Sequence, residues 1–278
     1  MQGIEKIKAL LDSPKRIVIT SHRSPDGDAI GSSLGLYHVL VQLGHQIQVV
    51  VPNDYPKFLK WMPSNDIVLQ YEKDNLTVVD AIQRAEIIFC LDYNALHRIH
   101  DVGKLVEASD AIKIMIDHHP QPDNFAEFML SDTSASSTAQ LVFEFVEMLG
   151  IVDKINEASA SCLYAGIMTD TGSFRFPSTT AKTHKVVANL IDSGANIANI
   201  YTKIMDNNTE NRLKLLGYCL SEGMEVFPDY AAVLIKLSQE DLERFNYQQG
   251  DTEGVVNYGL SIEGINFATI IKENDNEI

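Results

Sequence analysis

The chain has 278 residues, with 22 Lys and Arg against 38 Asp and Glu and a net charge of −16. This length is enough for one large domain or two unequal domains with an ample core. Because long nucleic acids are usually held by basic surfaces, the acidic balance argues against binding of a long duplex. A small anionic substrate is still compatible with this charge if bound metal ions reverse its local sign.

The sequence shows no pattern of a secreted or membrane protein. No signal-peptide pattern stands at the N-terminus, and no apolar run reaches the roughly 18 residues that cross a membrane. The three cysteines are far apart and odd in number, which suits a reducing compartment better than a disulfide scaffold. We therefore expect a cytoplasmic protein that does not bind membranes.

Short apolar runs alternate with amphipathic segments in the first part of the chain. The predicted strands cover residues 17–20, 46–51, 87–91 and 112–116, and the predicted helices cover 2–11, 29–43 and 75–84. Strands that alternate with helices through short connections form right-handed crossovers and a parallel sheet. The pattern therefore predicts an α/β fold.

Residues that commonly bind metals follow three of these four strands. They are His22, Asp26 and Asp28 after the first strand, Asp92 after the third, and Asp117, His118 and His119 at the end of the fourth. The carboxyl ends of parallel strands lie along one edge of the sheet, where ligands of open α/β sheets bind. We therefore expect these side chains to lie close together.

The later part of the chain reads as helices followed by further α/β structure. Helices are predicted over 135–149 and 153–169, and the second is rich in small residues that permit close packing. It ends at Asp170, whose carboxylate opposes the helix dipole at a cost of about 0.3–1 kcal/mol that a bound cation would offset. Consecutive helices over 179–222, strands at 230–237 and 265–271, and helical segments from Ser238 and over 255–262 complete the prediction.

The chemistry of these side chains indicates a metal site. Gathering Asp26, Asp28, Asp92 and Asp170 without cations would sharply raise at least one carboxyl pKa. Mixed carboxylate and imidazole donors favour Mn²⁺, Fe²⁺, Co²⁺ or Zn²⁺ over Ca²⁺, and a pair of such ions can activate water for attack on phosphorus. The structural alternatives are that Asp26 or Ser24 only caps the following helix, and that Asp92 and Asp170 are ordinary acids at a strand end and at the surface.

Four segments together resemble the motifs of the DHH phosphoesterases, a superfamily that includes the RecJ nucleases and the family II pyrophosphatases. In chain order the segments are HRSPDGDAIGS at 22–32, Asp92, the triplet at 117–119, and GIMTDTGSFR at 166–175. The resemblance extends from about residue 15 to about residue 190. Within the superfamily, the chain is most similar to the bacterial nanoRNase and 3′-phosphoadenosine-5′-phosphate (pAp) phosphatase type.

This resemblance implies two divalent metal ions, with Mn²⁺ as the expected metal. Their implied ligands are His22 and Asp26 for one ion, Asp28, His118 and Asp170 for the other, and Asp92 as a bridge between both. The resemblance also implies that His119 contacts the scissile phosphate and assists the leaving group. Asp117 would orient a histidine, and Arg175 would bind phosphate unless it is an ordinary surface arginine in a salt bridge.

The resemblance also implies a domain organisation. A DHH catalytic domain at 1–192, a helical linker at 193–222 and part of a DHH-associated substrate-binding domain at 223–278 are expected, with EGVVNY at 253–258 as the most recognisable part of the last. The Gly-Gly-His type of substrate motif that should follow is not found before Ile278. Either the chain is truncated or it departs from the pattern, and we expect an intact metal site beside an incomplete substrate cleft.

The implied activity is hydrolysis of short oligoribonucleotides from one end, with release of mononucleotides, or of pAp to AMP. A homodimer is compatible with this interpretation. The alternatives within the superfamily are a phosphodiesterase for cyclic-di-AMP or linear dinucleotides, an exopolyphosphatase or pyrophosphatase, and a RecJ-like DNA exonuclease. A non-catalytic nucleotide-binding protein with an incomplete cleft is the alternative outside this class.

Overall fold

Two separate β-sheets organise the residues that the computed structural model describes, which are 1–248 and 250–273. The chain divides into two units, Met1–Ile204 and Met205–Ile278, and each unit contains one of the sheets. The first unit carries all of the predicted metal ligands. Its sheet therefore explains how the candidate site is built.

The sheet of the first unit has six strands. They are β1 (Arg16–Thr20), β2 (Gln46–Val51), β3 (Leu69–Gln70), β4 (Ile87–Leu91), β5 (Ile112–Asp117) and β6 (Phe128–Ser131). The strand order is β3-β2-β1-β4-β5-β6, and every neighbouring pair is parallel, which confirms the predicted α/β architecture. The order reverses between β1 and β4, and ligands bind beyond the carboxyl ends of strands at such a switch point.

Eight helices surround this sheet in the described residues. They are α1 (Ile4–Leu11), α2 (Gly27–Leu40), α3 (Tyr71–Arg84), α4 (His100–Ala108), α5 (Thr138–Leu149), α6 (Glu157–Asp170), α7 (Ala181–Asp192) and α8 (Ile197–Met205). Helices α3 and α4 cover one face through Val78 and Val102, which are buried with Met115 of β5. On the opposite face, Phe145 of α5 packs edge-on against Phe89 of β4. In the described part of the chain, no helix is both long and apolar enough to span a membrane.

Helices α2, α5 and α6 pack closely at glycine positions. A Cβ atom added to Gly31 of α2 would lie 2.5 Å from a backbone oxygen of α6, and one added to Gly166 would lie 2.7 Å from Ala139 of α5. The same added Cβ at Gly166 would be 3.0 Å from Asp28 Oδ1. This close approach places the start of α2, which carries Asp28, beside the end of α6, which carries Asp170.

One helix boundary differs from the prediction because of its cap. The sequence predicts a helix over 135–149, whereas α5 begins at Thr138. Ser137 has extended backbone angles and its side chain accepts the Gln140 N–H at 3.1 Å, as an N-cap residue does. Two short strands, β3 at Leu69–Gln70 and β7 at Met224–Phe227, are not predicted from the sequence.

The second unit has a three-stranded sheet and three helices in its described residues. They are α9 (Glu210–Ser221), β7 (Met224–Phe227), β8 (Ala232–Leu237), α10 (Gln239–Arg244), α11 (Val255–Leu260) and β9 (Phe267–Lys272). Strand β8 pairs antiparallel with β7 and parallel with β9. Leu215 and Cys219 of α9 lie in the core of this unit, whereas α8 lies in the first unit, so the predicted linker 193–222 is divided between the two. The division into 1–192, 193–222 and 223–278 stays a proposal.

Candidate metal centre

The loop between β1 and α2 is held in place by two hydrogen bonds to other segments. The Arg23 N–H donates to the carbonyl oxygen of Arg98 at 2.9 Å, and the Ser24 N–H donates to Asn53 Oδ1 at 2.7 Å. Ser24 has a φ of 53°, a left-handed conformation that is uncommon for residues other than glycine. The segments that follow β2 and β4 therefore fix a loop conformation that the local sequence does not favour.

This loop presents His22 and Asp26. Asp26 Oδ1 caps α2 by accepting two backbone N–H bonds of 3.0 Å, so the capping role considered for Asp26 is present. His22 Nδ1 donates to the carbonyl oxygen of Arg23 at 2.8 Å. Its Nε2 lies 3.7 Å from Asp26 Oδ1 and 3.3 Å from Asp92 Oδ2. The Nδ1 bond leaves Nε2 of the neutral ring as the nitrogen that can bind a metal.

Three carboxylates form the buried bottom of the site. Asp28, Asp92 and Asp117 are 1%, 2% and 0% exposed. Asp28 Oδ2 accepts the Thr138 N–H at 2.6 Å and Asp28 Oδ1 accepts the Ala139 N–H at 2.8 Å. Thr138 Oγ1 donates to Asp92 Oδ1 at 2.9 Å. Helix α5 thus begins directly against two of the three carboxylates.

Asp92 lies between two sets of possible metal ligands. It follows β4 with a φ of 62°, and its N–H donates to the carbonyl oxygen of Ile116 at 3.1 Å. Its Oδ2 faces His22 Nε2, and its Oδ1 lies 3.7 Å from His118 Nε2. Because the two oxygens face different histidines, this carboxylate has the geometry that a bridging ligand requires.

The two adjacent histidines after β5 have different partners. His118 Nε2 lies 3.5 Å from Asp170 Oδ2 at the end of α6. His119 Nδ1 donates to Asp117 Oδ1 at 2.7 Å, and its backbone N–H donates to Asp117 Oδ2 at 3.1 Å. The Nδ1 of His119 is therefore bonded to Asp117, and Nε2 is the nitrogen left for other contacts.

An unusual turn follows Asp170. Gly172, Ser173 and Phe174 have φ values of 55°, 59° and 66°, a run of left-handed residues that is costly for L-amino acids. The turn is held in part by the Phe174 N–H, which donates to Thr171 Oγ1 at 3.0 Å. Arg175 is exposed, and its Nε donates to the carbonyl oxygen of Gly172 at 2.8 Å. Its contact with phosphate stays a prediction.

Three groups of side chains place possible ligand atoms within 4.8 Å of one another in the described residues. They are His22, Asp26 and Asp92; Asp28, His118 and Asp170; and Asp92, His118 and His119. All six predicted metal ligands occur in the first two groups. In the third, the bond to Asp117 already occupies the His119 nitrogen that lies 3.7 Å from Asp92.

The raised pKa values at the site indicate a shortage of positive charge. Burial, together with the charges of Asp92, Asp170 and Asp26, raises the pKa of Asp28. Burial and the charges of Asp92 and Asp26 raise the pKa of Asp170 to about 7. Burial would lower the pKa of His22, but its hydrogen bonds with Asp26 and Asp92 outweigh that effect and raise it to about 11.

These residues fit divalent cations. Protons held above their ordinary pKa values mark places where a metal ion would supply the missing positive charge, because metal binding displaces protons from its ligands. The donors are imidazole nitrogens and carboxylate oxygens, a set that suits Mn²⁺ and its neighbours among the transition metals. The site can therefore gather cations around Asp92.

Comparison with known proteins identifies the family. Residues 16–167 match the model described as the DHH family, N-terminal domain. The chain belongs to the DHH family. The resemblance carried by the four motifs is confirmed, and with it the expectation that the chain is an enzyme that hydrolyses phosphoester bonds.

Relatives of this DHH protein carry more specific names. The protein of Bacillus subtilis named bifunctional oligoribonuclease and PAP phosphatase NrnA is 30% identical over 94% of this chain and 79% of its own length. The protein of the same name from Thermus thermophilus is 33% identical over 80% of this chain and 62% of its own length. The crystal structure of an exopolyphosphatase-related protein from Bacteroides fragilis has a TM-score of 0.95 and 41% identity, over 99% of this chain and 80% of that one.

Two residues that help to hold the DHH centre in place are absent from the sequence-based prediction. Thr138 bonds to Asp28 and Asp92, and its sequence signal is the polar run Ser136-Ser137-Thr138 before an apolar helix, which is typical of a helix start. Asn53 holds the backbone of Ser24, and no sequence pattern indicates that contact. Both act through hydrogen bonds between segments far apart in the chain.

Proposed function

We propose that this chain is a Mn²⁺-dependent, two-metal phosphoesterase that hydrolyses short oligoribonucleotides to mononucleotides and pAp to AMP. The observation that carries the proposal is the pair of donor groups that meet at Asp92, with the Asp117–His119 pair beside them. Relatives named oligoribonuclease and PAP phosphatase support the choice of substrates. The net charge of −16 also favours short substrates over long polymers.

The proposed assignment of the metals follows the two donor groups. The ligands would be His22 and Asp26 for one ion, Asp28, His118 and Asp170 for the other, and Asp92 for both. When bound, two such ions supply positive charge to the phosphate oxygens and lower the pKa of water at the site. The Nδ1 bond of His22 to a backbone carbonyl holds Nε2 toward the carboxylates, which prepares that ring for ligation.

His119 is the residue proposed to protonate the leaving oxygen. Its hydrogen bond to Asp117 raises the pKa of the imidazole, so a larger fraction of it is protonated near neutral pH. Since Asp117 holds Nδ1, the proton available for transfer is on Nε2. An imidazolium at this position can transfer its proton to the ester oxygen as the P–O bond breaks.

Arg175 is proposed to bind a phosphate group of the substrate. It follows the left-handed turn after Asp170, and its Nε is tied to the carbonyl oxygen of Gly172. This bond orients an exposed guanidinium, and a guanidinium pairs well with phosphate because it can donate two parallel hydrogen bonds. Arg175 would then determine how tightly the substrate is held, without taking part in bond cleavage.

One panel of substrates tests the proposal. The Mn²⁺-loaded chain is incubated with pAp, a diribonucleotide, cyclic-di-AMP, pyrophosphate and a long single strand, and the products are separated and quantified. We expect turnover of pAp and the diribonucleotide, none in the presence of a chelator, and none for Asp92→Asn. Faster turnover of pyrophosphate or of the long strand would contradict the substrate class, and absence of any turnover would support the nucleotide-binding alternative.

A further inference from the structure

Thr138 contacts both halves of the metal centre. Its backbone N–H donates to Asp28 Oδ2 at 2.6 Å, and its Oγ1 donates to Asp92 Oδ1 at 2.9 Å. All three side chains are almost completely buried, with exposures of 0% for Thr138, 1% for Asp28 and 2% for Asp92. Thr138 belongs to neither donor group. It is nevertheless bonded to Asp28, which lies in the group of His118, and to Asp92, which lies beside His22.

The hydroxyl bond has a specific geometric consequence for Asp92. Rotation of a carboxylate about its terminal torsion is only weakly restricted, so the positions of its oxygens depend on their partners. In the observed orientation Oδ2 lies 3.3 Å from His22 Nε2, and Oδ1 lies 3.7 Å from His118 Nε2. The Thr138 hydroxyl uses one acceptor site of Oδ1 and leaves a second one, because a carboxylate oxygen can accept twice.

Thr138 has little freedom to move away from this position. It is the first residue of α5, and the helix start is fixed by the Ser137 cap. The next residue, Ala139, donates its N–H to Asp28 Oδ1 at 2.8 Å and lies against Gly166, where even one added carbon would come within 2.7 Å. The positive end of the α5 dipole also faces the Asp28 carboxylate. The hydroxyl is therefore a rigid donor.

We propose that Thr138 is a positioning residue that sets the orientation of the Asp92 carboxylate, so that one oxygen serves each donor group and the two metal ions bind as a pair. This inference rests on the proposed two-metal function. Without the hydroxyl, Asp92 turns toward the histidine of one group, and the other group loses its shared ligand. The first ion then still binds, whereas the second binds weakly.

A purely structural role would have a different signature. Loss of a buried hydroxyl bond lowers stability wherever it occurs, and Thr20 provides the matched case in this chain. Thr20 is also 0% exposed, and its Oγ1 lies 2.6 Å from Tyr93 Oη and 3.4 Å from the carbonyl oxygen of Phe89, so Thr20→Val removes the same chemical group and its buried hydrogen bonds. If Thr138 were only structural, Thr138→Val and Thr20→Val would behave alike toward metals.

The experiment compares Thr138→Val, Thr138→Ser and Thr20→Val with the unsubstituted full chain. Mn²⁺ is titrated into the metal-free proteins, the number and affinity of bound ions are measured, and electron paramagnetic resonance reports the spectrum of a spin-coupled Mn²⁺ pair. Removal of a partner that orients a metal ligand typically costs about 10–100-fold in metal affinity. We expect a loss of that size for the second ion in Thr138→Val and loss of the coupled spectrum at Mn²⁺ concentrations that saturate the unsubstituted chain.

The controls separate positioning from folding. Thr138→Ser retains the hydroxyl and should restore the coupled pair, and Thr20→Val should lower the Tm of the metal-free protein while keeping the pair. If the valine variant does not fold, the same measurements are made on Thr138→Ala, which has a smaller side chain. A coupled pair of unchanged affinity in Thr138→Val or Thr138→Ala, or an equal loss in Thr20→Val, would overturn the inference.

The outcomes also distinguish this inference from the proposed function. If the unsubstituted chain binds a coupled pair that depends on Thr138 but turns over none of the substrates, the proposed function fails and the positioning role is supported. If the unsubstituted chain binds no pair of ions, both fail. In an active enzyme, Thr138→Val should lower kcat with pAp and leave KM close to that of the unsubstituted chain, because no substrate contact is assigned to Thr138.

Discussion

The carboxylates of the metal centre fall into two sets that the protein holds differently. Asp28, Asp92 and Asp117, which we call the floor, are at most 2% exposed, and each accepts hydrogen bonds from the backbone or from a neighbouring side chain. Asp26 and Asp170, which we call the rim, have side chains that are 47% and 30% exposed. The floor carboxylates are oriented by the protein itself, whereas the rim is closer to solvent.

This difference indicates how the centre is assembled. Burying a carboxylate is costly unless donors compensate it, and at the floor α5 and His119 provide those donors. At the rim, Asp170 has the Nε2 of His118 3.5 Å away, and burial with the charges of Asp92 and Asp26 raises its pKa to about 7. The donors at the floor do not compensate burial completely. Burial raises the pKa of Asp28 although its carboxylate accepts two N–H bonds. The floor is arranged before metals bind. At the rim, Asp26 is held by its two backbone N–H bonds at the start of α2, and Asp170 depends more on what binds.

The largest expected effect is at the floor residue that both donor groups share. Asp92→Ala removes the common ligand, so both ions should bind weakly and turnover should nearly disappear. Metal ions supply several kcal/mol of transition-state stabilisation, which corresponds to a loss of about a thousandfold or more in kcat/KM. The rate is measured with pAp, and bound metal is measured by elemental analysis. Turnover that survives Asp92→Ala would reject the site as assigned.

The neighbouring histidines provide a matched pair of substitutions. His118→Ala should lose metal affinity, because His118 Nε2 faces Asp92 and Asp170. His119→Ala should keep the metals and lose about 10²–10⁴-fold in kcat, the range expected when a general acid is removed. Metal content and kcat are measured for both variants. Equal metal loss in the two variants would contradict the separate roles.

Substitution of the exposed Arg175 should affect substrate affinity more than the chemical step. A hydrogen bond between charged groups contributes roughly 1.5–3 kcal/mol, so Arg175→Ala should raise KM for pAp by about 10–100-fold with a smaller change in kcat. Arg175→Lys should recover only part of the loss, because an ammonium lacks the fork of donors. The control is Arg84→Ala, which removes an exposed arginine paired with Asp80. An unchanged KM in Arg175→Ala would assign Arg175 to the surface.

The contribution of Asp170 and His22 to the stability of the metal-free protein should fall as the pH rises from 5 to 8. The pKa of Asp170 is raised to about 7 on folding, so its favourable contribution is complete below the ordinary value of 3.8 and is lost as pH rises to about 7. The pKa of His22 is raised to about 11, so its contribution begins to decline above the ordinary value of 6.5. Both shifts have the same sign within this pH range.

Metal ions should reverse that trend, because they replace the protons that these groups hold. We therefore expect the increase in Tm on addition of Mn²⁺ to grow between pH 5 and pH 8, as measured by thermal unfolding with and without a chelator. Asp170→Asn should flatten the slope of the metal-free protein below pH 7, which tests the rim directly. A slope that Asp170→Asn leaves unchanged would contradict the raised pKa of that carboxyl.

The sequence was sufficient to predict which side chains meet at the floor and the rim, because each stands at the end of a regular element. Short apolar runs end at His22, Asp92 and Asp117, and an amphipathic pattern ends at Asp170. Parallel strands with short connections bring such ends to one edge, so local patterns were enough to predict a shared site. The strand order places β1 beside β4 and makes that edge a switch point.

The residues that orient the ligands could not be predicted in the same way. Thr138 reaches Asp92 across 46 positions of sequence, and Asn53 reaches Ser24 across 29. Neither contact produces a periodic pattern, because each depends on the packing of separate elements. The short strands β3 and β7 were missed for a related reason, since two to four residues are too few to show an alternation.

The smallest expected effect is at the loop that presents His22 and Asp26. Asn53 Oδ1 accepts the N–H of Ser24, whose left-handed backbone would otherwise relax. Asn53→Ala removes this bond, which contributes about 0.5–1.5 kcal/mol, so the affinity of the metal ion assigned to His22 should fall by about tenfold or less. Asn53→Asp retains the acceptor for Ser24 but loses the Nδ2 donor to the carbonyl oxygen of Asp54, so it should recover only part of the loss. Calorimetric titration with Mn²⁺ measures both. A loss of Mn²⁺ affinity as large as that of Asp92→Ala would contradict this prediction, because it would show that the loop also holds the floor carboxylates in place.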